Sequence, residues 1–236
     1  MTKIKTMLCA VFTLMLVNLS TSALSDSSNF AGPYVGFQLL GLGAEFDGQS
    51  NSEAGTSGAE EDHVPVGAAV ATVGIEVGYV IPLGSLFALD LGGQMLSGEA
   101  KIDHRNSNTG RGTTGSAGNV SMTMDDHYTY YIAPTVALSD TSSLYVKMGV
   151  SQADINVTGD VQPVPNLHGQ MWAIGTRTVL PSGIFIRTEA GYTEYNSVGT
   201  RGLGARAQGA DRIDTKTTFT AEPTIVQGNV SIGFRF

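Results

Sequence analysis

The stretch that decides the fold is Asn229-Val230-Ser231-Ile232-Gly233-Phe234-Arg235-Phe236, the last eight residues of the sequence. Its side chains alternate between apolar residues and residues that are polar or small. Successive side chains of a β-strand point to opposite faces of the sheet. The stretch therefore predicts a strand with one purely apolar face. The apolar positions are Val230, Ile232, Phe234 and Phe236.

The beginning of the chain has the features of a secretory signal peptide. Lys3 and Lys5 form a basic region, and an apolar run extends from Met7 to Val17. Small residues suitable for cleavage follow near Ala23. A bilayer-spanning helix needs about 20 apolar residues, so this run is too short to be one. We therefore expect residues 1–25 to be the signal peptide and residues 26–236 to form one β-barrel domain.

Composition narrows the classes of protein that the chain can belong to. Its 236 residues carry a formal charge of −8, which argues against a nucleic-acid partner, since such a partner would call for a basic patch. Hydrophobic residues make up 42% of the chain and glycine contributes 30 residues, a balance that fits a turn-rich β protein rather than a disordered one. The only cysteine, Cys9, lies in the predicted signal peptide, so the exported chain would contain no disulfide.

Period-2 alternation recurs along the whole exported part of the chain. No later segment has the 18 or more consecutive apolar residues of a membrane helix, so insertion into a membrane would require a closed barrel. We count eight alternating segments. They are residues 34–46, 69–81, 86–98, 122–138, 143–153, 169–180, 184–196 and 217–236.

Short and long connections between these segments alternate strictly. The short ones have good turn chemistry: Pro82-Leu83-Gly84-Ser85, Ser139-Asp140-Thr141-Ser142 and Pro181-Ser182-Gly183. The long ones are polar and glycine-rich: 47–65, 99–121, 156–168 and 197–216. This arrangement predicts an all-β, eight-stranded antiparallel up-and-down transmembrane β-barrel, with tight turns at one end and loops at the other.

Alternation alone does not say which face of the strands meets water. A soluble lipocalin-like barrel would turn the apolar face inward, and a β-sandwich would also bury it. The polar parity, however, combines both signs of charge with many glycines, which suits the narrow interior of an eight-stranded barrel. We therefore predict a lumen charge network, composed of Glu76, Asp90, Lys147, Arg177, Arg187, Glu189 and Arg235.

Aromatic residues of the apolar parity fall into two groups. Tyr79 and Phe87 lie toward the tight turns, whereas Tyr128, Tyr130, Trp172 and Tyr192 lie toward the loops. Two such groups indicate the aromatic girdles that membrane barrels place at the two bilayer interfaces. Aromatic residues are also simply common in strands, and this explanation remains open.

Gly32-Pro33-Tyr34-Val35-Gly36-Phe37-Gln38, Gly74-Ile75-Glu76-Val77-Gly78-Tyr79 and the closing Ser231–Phe236 resemble strands of the OmpA/OmpX-like family of eight-stranded outer-membrane barrels. The resemblance covers essentially the whole exported chain. It implies a bacterial outer-membrane location and lipid and lipopolysaccharide as surroundings. It also implies that the barrel-assembly machinery reads an end signal formed by Ile232, Phe234 and Phe236. Family members include structural proteins, adhesins, immune-evasion proteins and a few lipid-modifying enzymes.

The sequence predicts no catalytic, cofactor or metal site. His127, preceded by Asp125 and Asp126, is the one candidate catalyst, but its parity faces the lumen, whereas a lipid-modifying site must reach the bilayer. A solvated or hydrogen-bonded histidine at the barrel mouth is the simpler interpretation. No phosphate-binding loop is present, because the glycine-rich stretches are not followed by a helical pattern.

We therefore expect a monomeric outer-membrane barrel with a structural or adhesin-like role and no enzymatic activity. Its loops are the interaction surface: 47–62 is acidic, whereas Arg201, Arg206 and Arg212 make the last loop mixed to basic. They could bind an extracellular partner or simply form a solvated crown. The alternatives are a narrow low-conductance porin and, after it, a lipid A-modifying enzyme.

Overall fold

The described residues form one closed antiparallel barrel. A computed structural model of the chain describes residues 26–52, 62–97, 100–104, 120–158, 162–201 and 217–236. A single 3₁₀ turn, η1 (Ser27–Phe30), precedes the strands. The strands are β1 (Gly32–Ser52), β2 (Asp62–Pro82), β3 (Phe87–Ser97), β4 (Ala100–His104), β5 (Val120–Ala137), β6 (Ser142–Thr158), β7 (Leu167–Val179), β8 (Ile184–Tyr195), β9 (Val198–Arg201) and β10 (Thr217–Arg235).

These ten strands make eight staves. Both β3 and β4 pair with β5, and both β8 and β9 pair with β10, so each of these two staves is one strand with an interruption. The barrel closes where β1 pairs with β10, from Tyr34 opposite Arg235 to Ser52 opposite Thr217. The predicted fold class, an eight-stranded antiparallel barrel, is confirmed. The predicted signal peptide, residues 1–25, lies outside the described residues.

Three tight connections, the segment that begins at Asp26 and the last residue, Phe236, lie at one end, which we call the turn end. The connections are residues 83–86, 138–141 and 180–183, close to the predicted turns. Gly183 has φ +85°, a conformation that side chains disfavour, and its N–H donates to Leu180 O at 2.9 Å. The opposite end, the loop end, carries the long connections. No helix in the described ranges is both long and apolar enough to cross a bilayer.

Several strands are longer at the loop end than the sequence pattern predicts. β1 and β2 have 21 residues each, whereas a strand needs about 9–11 to cross a bilayer. Residues 47–65 are therefore not all loop, because Ser50 still pairs with Asp62. The ladder is made by the backbone, so it can continue where the apolar alternation that reveals strands has stopped.

An irregularity in β5 reverses the side-chain parity near the loop end. The register with β6 shifts between Asp125 and Tyr128, and Asp126 has φ +45°. Such a bulge inserts an extra residue into one strand. As a result, Met124 and His127 both point inward although their spacing is odd.

The interior is arranged in three levels. The turn-end cluster is Phe30, Tyr34, Val80, Ala88, Ala137, Val179 and Phe185. The loop-end cluster is Ala44, Met124, Ala153, Ile155, Leu167, Tyr195, Val198 and Ile225. Between them lie charged and tyrosine side chains. The outer wall, by contrast, exposes large apolar side chains, such as Phe37, Leu39, Val73, Ile75, Ile132, Val150 and Ile232.

Candidate functional site in the lumen

Six of the seven predicted lumen charges meet in the middle of the barrel. Each lies on the inward parity of its strand, and each is between 0% and 6% exposed. Three carboxylates face three cations, so the group is formally neutral. We call it the lumen charge network: Glu76 on β2, Asp90 on β3, Lys147 on β6, Arg177 on β7, and Arg187 and Glu189 on β8.

Arg187 is at the centre of the lumen charge network. Its Nη1 lies 2.8 Å from Glu76 Oε2, and its Nη2 forms a second ion pair with Asp90. Asp90 Oδ2 also lies 2.7 Å from Arg177 Nη2. One carboxylate thus joins two guanidinium groups, which offsets the repulsion between these two like charges. A separate pair joins Lys147 Nζ to Glu189 Oε2 at 2.5 Å.

The partners differ from those that strand adjacency suggests. Adjacency of β7 and β8 would pair Arg177 with Glu189. Arg177 and Arg187 do lie opposite each other in the β7–β8 register, but both reach Asp90 on β3. The interior of an eight-stranded barrel is only as wide as its side chains, so a long arginine spans it.

Tyrosine side chains complete the lumen charge network, and the sequence interpretation did not assign them to it. Tyr34 Oη donates to Asp90 Oδ1 at 2.8 Å and lies 2.7 Å from Tyr131 Oη. Tyr145 Oη donates to Glu189 Oε2 at 3.0 Å. Lys147 Nζ lies 4.2 Å from the centroid of the Tyr131 ring, within reach of a cation–π interaction.

Glycines explain how these rings fit into so narrow a lumen. A Cβ added at Gly78 would collide with the Tyr34 ring, and one added at Gly92 would collide with Tyr131. Gly175 makes room for Tyr145 in the same way. The sequence signal that could have revealed this arrangement is an inward tyrosine facing a glycine of the same parity on a neighbouring strand.

Amide side chains form hydrogen bonds with three of the charged groups. Gln38 Nε2 donates to Glu76 Oε2 at 3.0 Å, and Asn229 Nδ2 donates to Glu189 Oε1 at 3.1 Å. Lys147 Nζ donates to Gln94 Oε1 at 3.4 Å. Within the described residues, some buried atoms of the lumen have no hydrogen-bond partner, among them both amide atoms of Gln227.

Arg235, the seventh predicted charge, is not part of the lumen charge network. Its Nη1 donates to the backbone oxygens of Asn29 and Ala31, the latter at 3.3 Å. The reason is its position along the barrel axis, because Arg235 is the last residue of β10 and pairs with Tyr34 at the turn end. There the nearest acceptors are carbonyl groups of the N-terminal segment.

The structure places His127 inside the barrel, as its parity indicates. Its Nε2 lies 3.5 Å from Thr129 Oγ1, and its ring lies 6.1 Å from that of Tyr195. Asp125 instead accepts from Asn156 Nδ2 at 3.0 Å. In the described parts of the chain, no three His, Cys, Asp or Glu residues are grouped so that they could hold a metal ion.

The aromatic residues singled out in the sequence lie on the outer wall. Tyr79, Phe87, Tyr128 and Tyr130 are exposed, whereas Trp172 and Tyr192 are half-buried and directly opposite each other across β7 and β8. Among the residues of the end signal, Ile232 and Phe234 are also outward-facing. Phe236 is 74% exposed, its ring lies 5.2 Å from that of Phe234, and its N–H donates to Pro33 O at 3.0 Å.

Comparisons with known proteins agree with this architecture. The model of the outer membrane protein beta-barrel domain matches residues 9–222. The outer membrane protein OprG from Pseudomonas aeruginosa is similar in structure, with a TM-score of 0.53 at 9% identity, over 91% of this chain and 100% of OprG. The outer membrane protein AlkL has a TM-score of 0.49 at 15% identity, over 92% and 95%.

Ail, the attachment invasion locus protein of Yersinia pestis, has a TM-score of 0.40 at 9% identity, over 85% of this chain and 99% of Ail. No curated protein sequence matches the chain. At 9% identity the likeness to OprG extends to the fold alone, and one fold supports many functions.

Proposed function

Because the chain belongs to the family of outer membrane protein β-barrel domains, we propose that it is an outer-membrane scaffold presenting a preformed interaction surface outside the cell. The protein is located in the bacterial outer membrane, so its loop end faces outward. In this proposal the barrel acts as a monomer, conducts no ions and catalyses no reaction.

The loop-end extension of the strands carries the proposal. On β1 the outward side chains are apolar or glycine from Val35 to Gly43, and Glu45 is the first charged one. The strand nevertheless continues to Ser52. Inside this extension lies the loop-end cluster, whose members are 0% to 8% exposed. An extension with its own apolar core is a rigid platform, and a rigid platform loses little entropy when it binds a partner.

Binding to surfaces tests the interaction role. Cells that display the wild-type protein, and cells that display a variant with residues 47–65 and 202–216 replaced by short glycine-serine turns, are compared on immobilised matrix proteins and glycans. We expect the wild-type cells to adhere to at least one surface and the variant to lose that adhesion. Heat-modifiable mobility on a gel verifies that both barrels are folded. Equal adhesion to every surface would contradict the proposal.

The lumen charge network supports the absence of conduction. Its side chains are almost wholly buried and span the interior, from Glu76 on β2 to Arg187 on β8. We expect purified barrel in a planar bilayer to give no discrete current steps, while a large porin added afterward does.

A narrow pore is the second candidate. Within the described part of the chain, lumen atoms such as Gln94 Nε2 and Thr193 Oγ1 have no hydrogen-bond partner, which favours contact with water. Steady current steps that change when Lys147→Met removes a lumen charge would establish it. The hypothesis of a lipid A-modifying enzyme has less support, because His127 faces inward. Mass spectrometry of lipid A from expressing cells tests this hypothesis.

The closing strand is the element that we propose as the signal for the assembly machinery. Ile232, Phe234 and Phe236 are exposed on the lipid side, where a recognising protein can reach them. Deleting Phe236, or Phe236→Asp, should reduce the amount of assembled barrel several-fold more than Arg235→Asp, because Arg235 points toward the N-terminal segment. Quantification of the heat-modifiable form tests this, and equal assembly of the two variants would contradict it.

A further inference from the structure

The segment before the first strand lies across the turn end of the lumen. It consists of residues 26–31 and contains η1 (Ser27–Phe30). Gly32 joins it to β1 with φ +111°, and a Cβ there would lie 2.9 Å from Phe236 O. Only glycine fits this bend without strain, so the joint between segment and strand is a specific feature of the sequence.

Phe30 is the apolar centre of this segment. It is 1% exposed and belongs to the turn-end cluster, together with inward side chains of β2, β3, β5, β7 and β8. Two of these wall residues, Ala88 and Ala137, are small. In the same cluster, Phe185 packs edge-to-face on Tyr34 at 5.5 Å, and Tyr34 contacts Asp90. Phe30 thus belongs to the apolar cluster that adjoins the lumen charge network through Tyr34.

Polar contacts fasten the same segment to the tight turns. Ser27 N donates to Ser85 O and Ser27 Oγ donates to Gly84 O, both at 2.6 Å. Asp26 N donates to Asp140 Oδ1 at 3.3 Å, in the turn between β5 and β6. Ser28 N donates to the Asp26 carboxylate at 2.9 Å, and this hydrogen bond lowers the pKa of Asp26. The opposite side is held by Arg235, which donates to Asn29 O.

We propose that residues 26–31 are a stopper, a built-in lid that closes the periplasmic mouth of the barrel and keeps water from the lumen charge network. The stopper inserts one large aromatic ring where the wall offers alanines. The other residues of the stopper form hydrogen bonds to backbone and turn groups. Loss of the ring therefore opens the mouth, while the barrel wall, made by the strand ladder, remains closed.

Thiol labelling measures whether the mouth is open. Ala88→Cys, in a Cys9→Ser background, places a thiol at a buried wall position in the same cluster as Phe30. The folded barrel in detergent micelles is treated with a water-soluble maleimide, with and without Phe30→Gly. We expect Phe30→Gly to speed labelling of the Ala88→Cys thiol by at least about tenfold, because a buried group reacts only when its cover opens. Leu83→Cys on the exposed turn is the control, and it should react equally fast in both backgrounds.

A second variant separates opening of the stopper from general loosening. Ser27→Pro removes the N–H and hydroxyl that bind the β2–β3 turn but leaves Phe30 and the wall intact. It should also speed labelling at position 88, to a smaller extent, with unchanged heat-modifiable mobility. If neither substitution changes the labelling rate at position 88, the stopper proposal is overturned. The adhesion experiment is unaffected by either result, since it concerns the other end of the barrel.

Discussion

The two faces of β7 make opposite demands on a charged side chain. Arg177 points into the lumen, where Asp90 lies 2.7 Å away, while Ile174, three residues earlier, faces outward. The lumen accepts a guanidinium group because carboxylates on other staves compensate it, and hydrocarbon offers no such partner. The position of a charge therefore matters here through the partners within reach, rather than through burial as such.

The largest loss of stability is expected from removing Arg187, the central cation of the lumen charge network. Arg187→Leu leaves both Glu76 and Asp90 without their shared cation, so the free energy of unfolding should fall by about 3–5 kcal/mol. Urea unfolding of the barrel from lipid vesicles measures it. The matched control is outward-facing Thr188→Leu, which should change little. A loss below about 1 kcal/mol would mean that lumen water already solvates these carboxylates.

Placing a charge on the outer face should have the next largest effect. Ile174→Arg should lower the free energy of unfolding by about 2–4 kcal/mol if the site lies near the bilayer midplane. The same unfolding assay applies, with Ile174→Leu as the control of similar size. A tolerated arginine at this position would show that this part of the wall does not face hydrocarbon.

The ion pair between Lys147 and Glu189 allows a finer test of the inward face. Lys147→Met and Glu189→Gln each remove one member, and their double mutant removes both. We expect the sum of the two single losses in the free energy of unfolding to exceed the loss in the double mutant. The difference, which is the coupling energy, should be about 0.5–3 kcal/mol. Additive losses would indicate that Gln94 and Tyr145, the neighbouring polar groups, already replace the missing partner.

The smallest expected effect is a difference in the quenching of tryptophan fluorescence at the edge of the lipid-facing wall. Trp172 is the only tryptophan, so its fluorescence reports one position. We expect lipids brominated near the headgroup to quench it more strongly than lipids brominated at the chain end, because aromatic girdles lie at the interface. Tyr192→Ala, which removes its cross-strand neighbour, should leave this order unchanged. The reverse order of quenching would place Trp172 in the hydrocarbon interior and remove it from the girdle.

Alternation was sufficient to predict the eight staves, because lipid and lumen impose opposite demands on successive residues. The alternation pattern failed to predict the structure where lipid and lumen no longer impose these demands. Ser50 pairs with Asp62 in a stretch with no apolar signal, and the bulge at Asp126 changes parity without any glycine or proline to mark it.

The members of the lumen charge network could be predicted from parity, but their pairing could not. Which arginine meets which carboxylate depends on the stagger of the staves, a property of the closed barrel as a whole. Arg235 shows the same limit: its parity is right, but its height along the axis brings it to Asn29 instead of to a carboxylate. Phe30 precedes the first strand, where no periodic pattern could reveal that it turns inward.

The order of the charges along the chain has a consequence for how the barrel is made. Two carboxylates, Glu76 and Asp90, are synthesised first, and the arginines that neutralise them, Arg177 and Arg187, are synthesised roughly a hundred residues later. A fragment of the chain that ends before Arg177 would therefore hold the Glu76 and Asp90 carboxylates without the arginines that pair with them. Closure of the barrel between Tyr34 on β1 and Arg235 on β10 requires the strands that carry these arginines, so the lumen charge network is formally neutral only in the closed barrel.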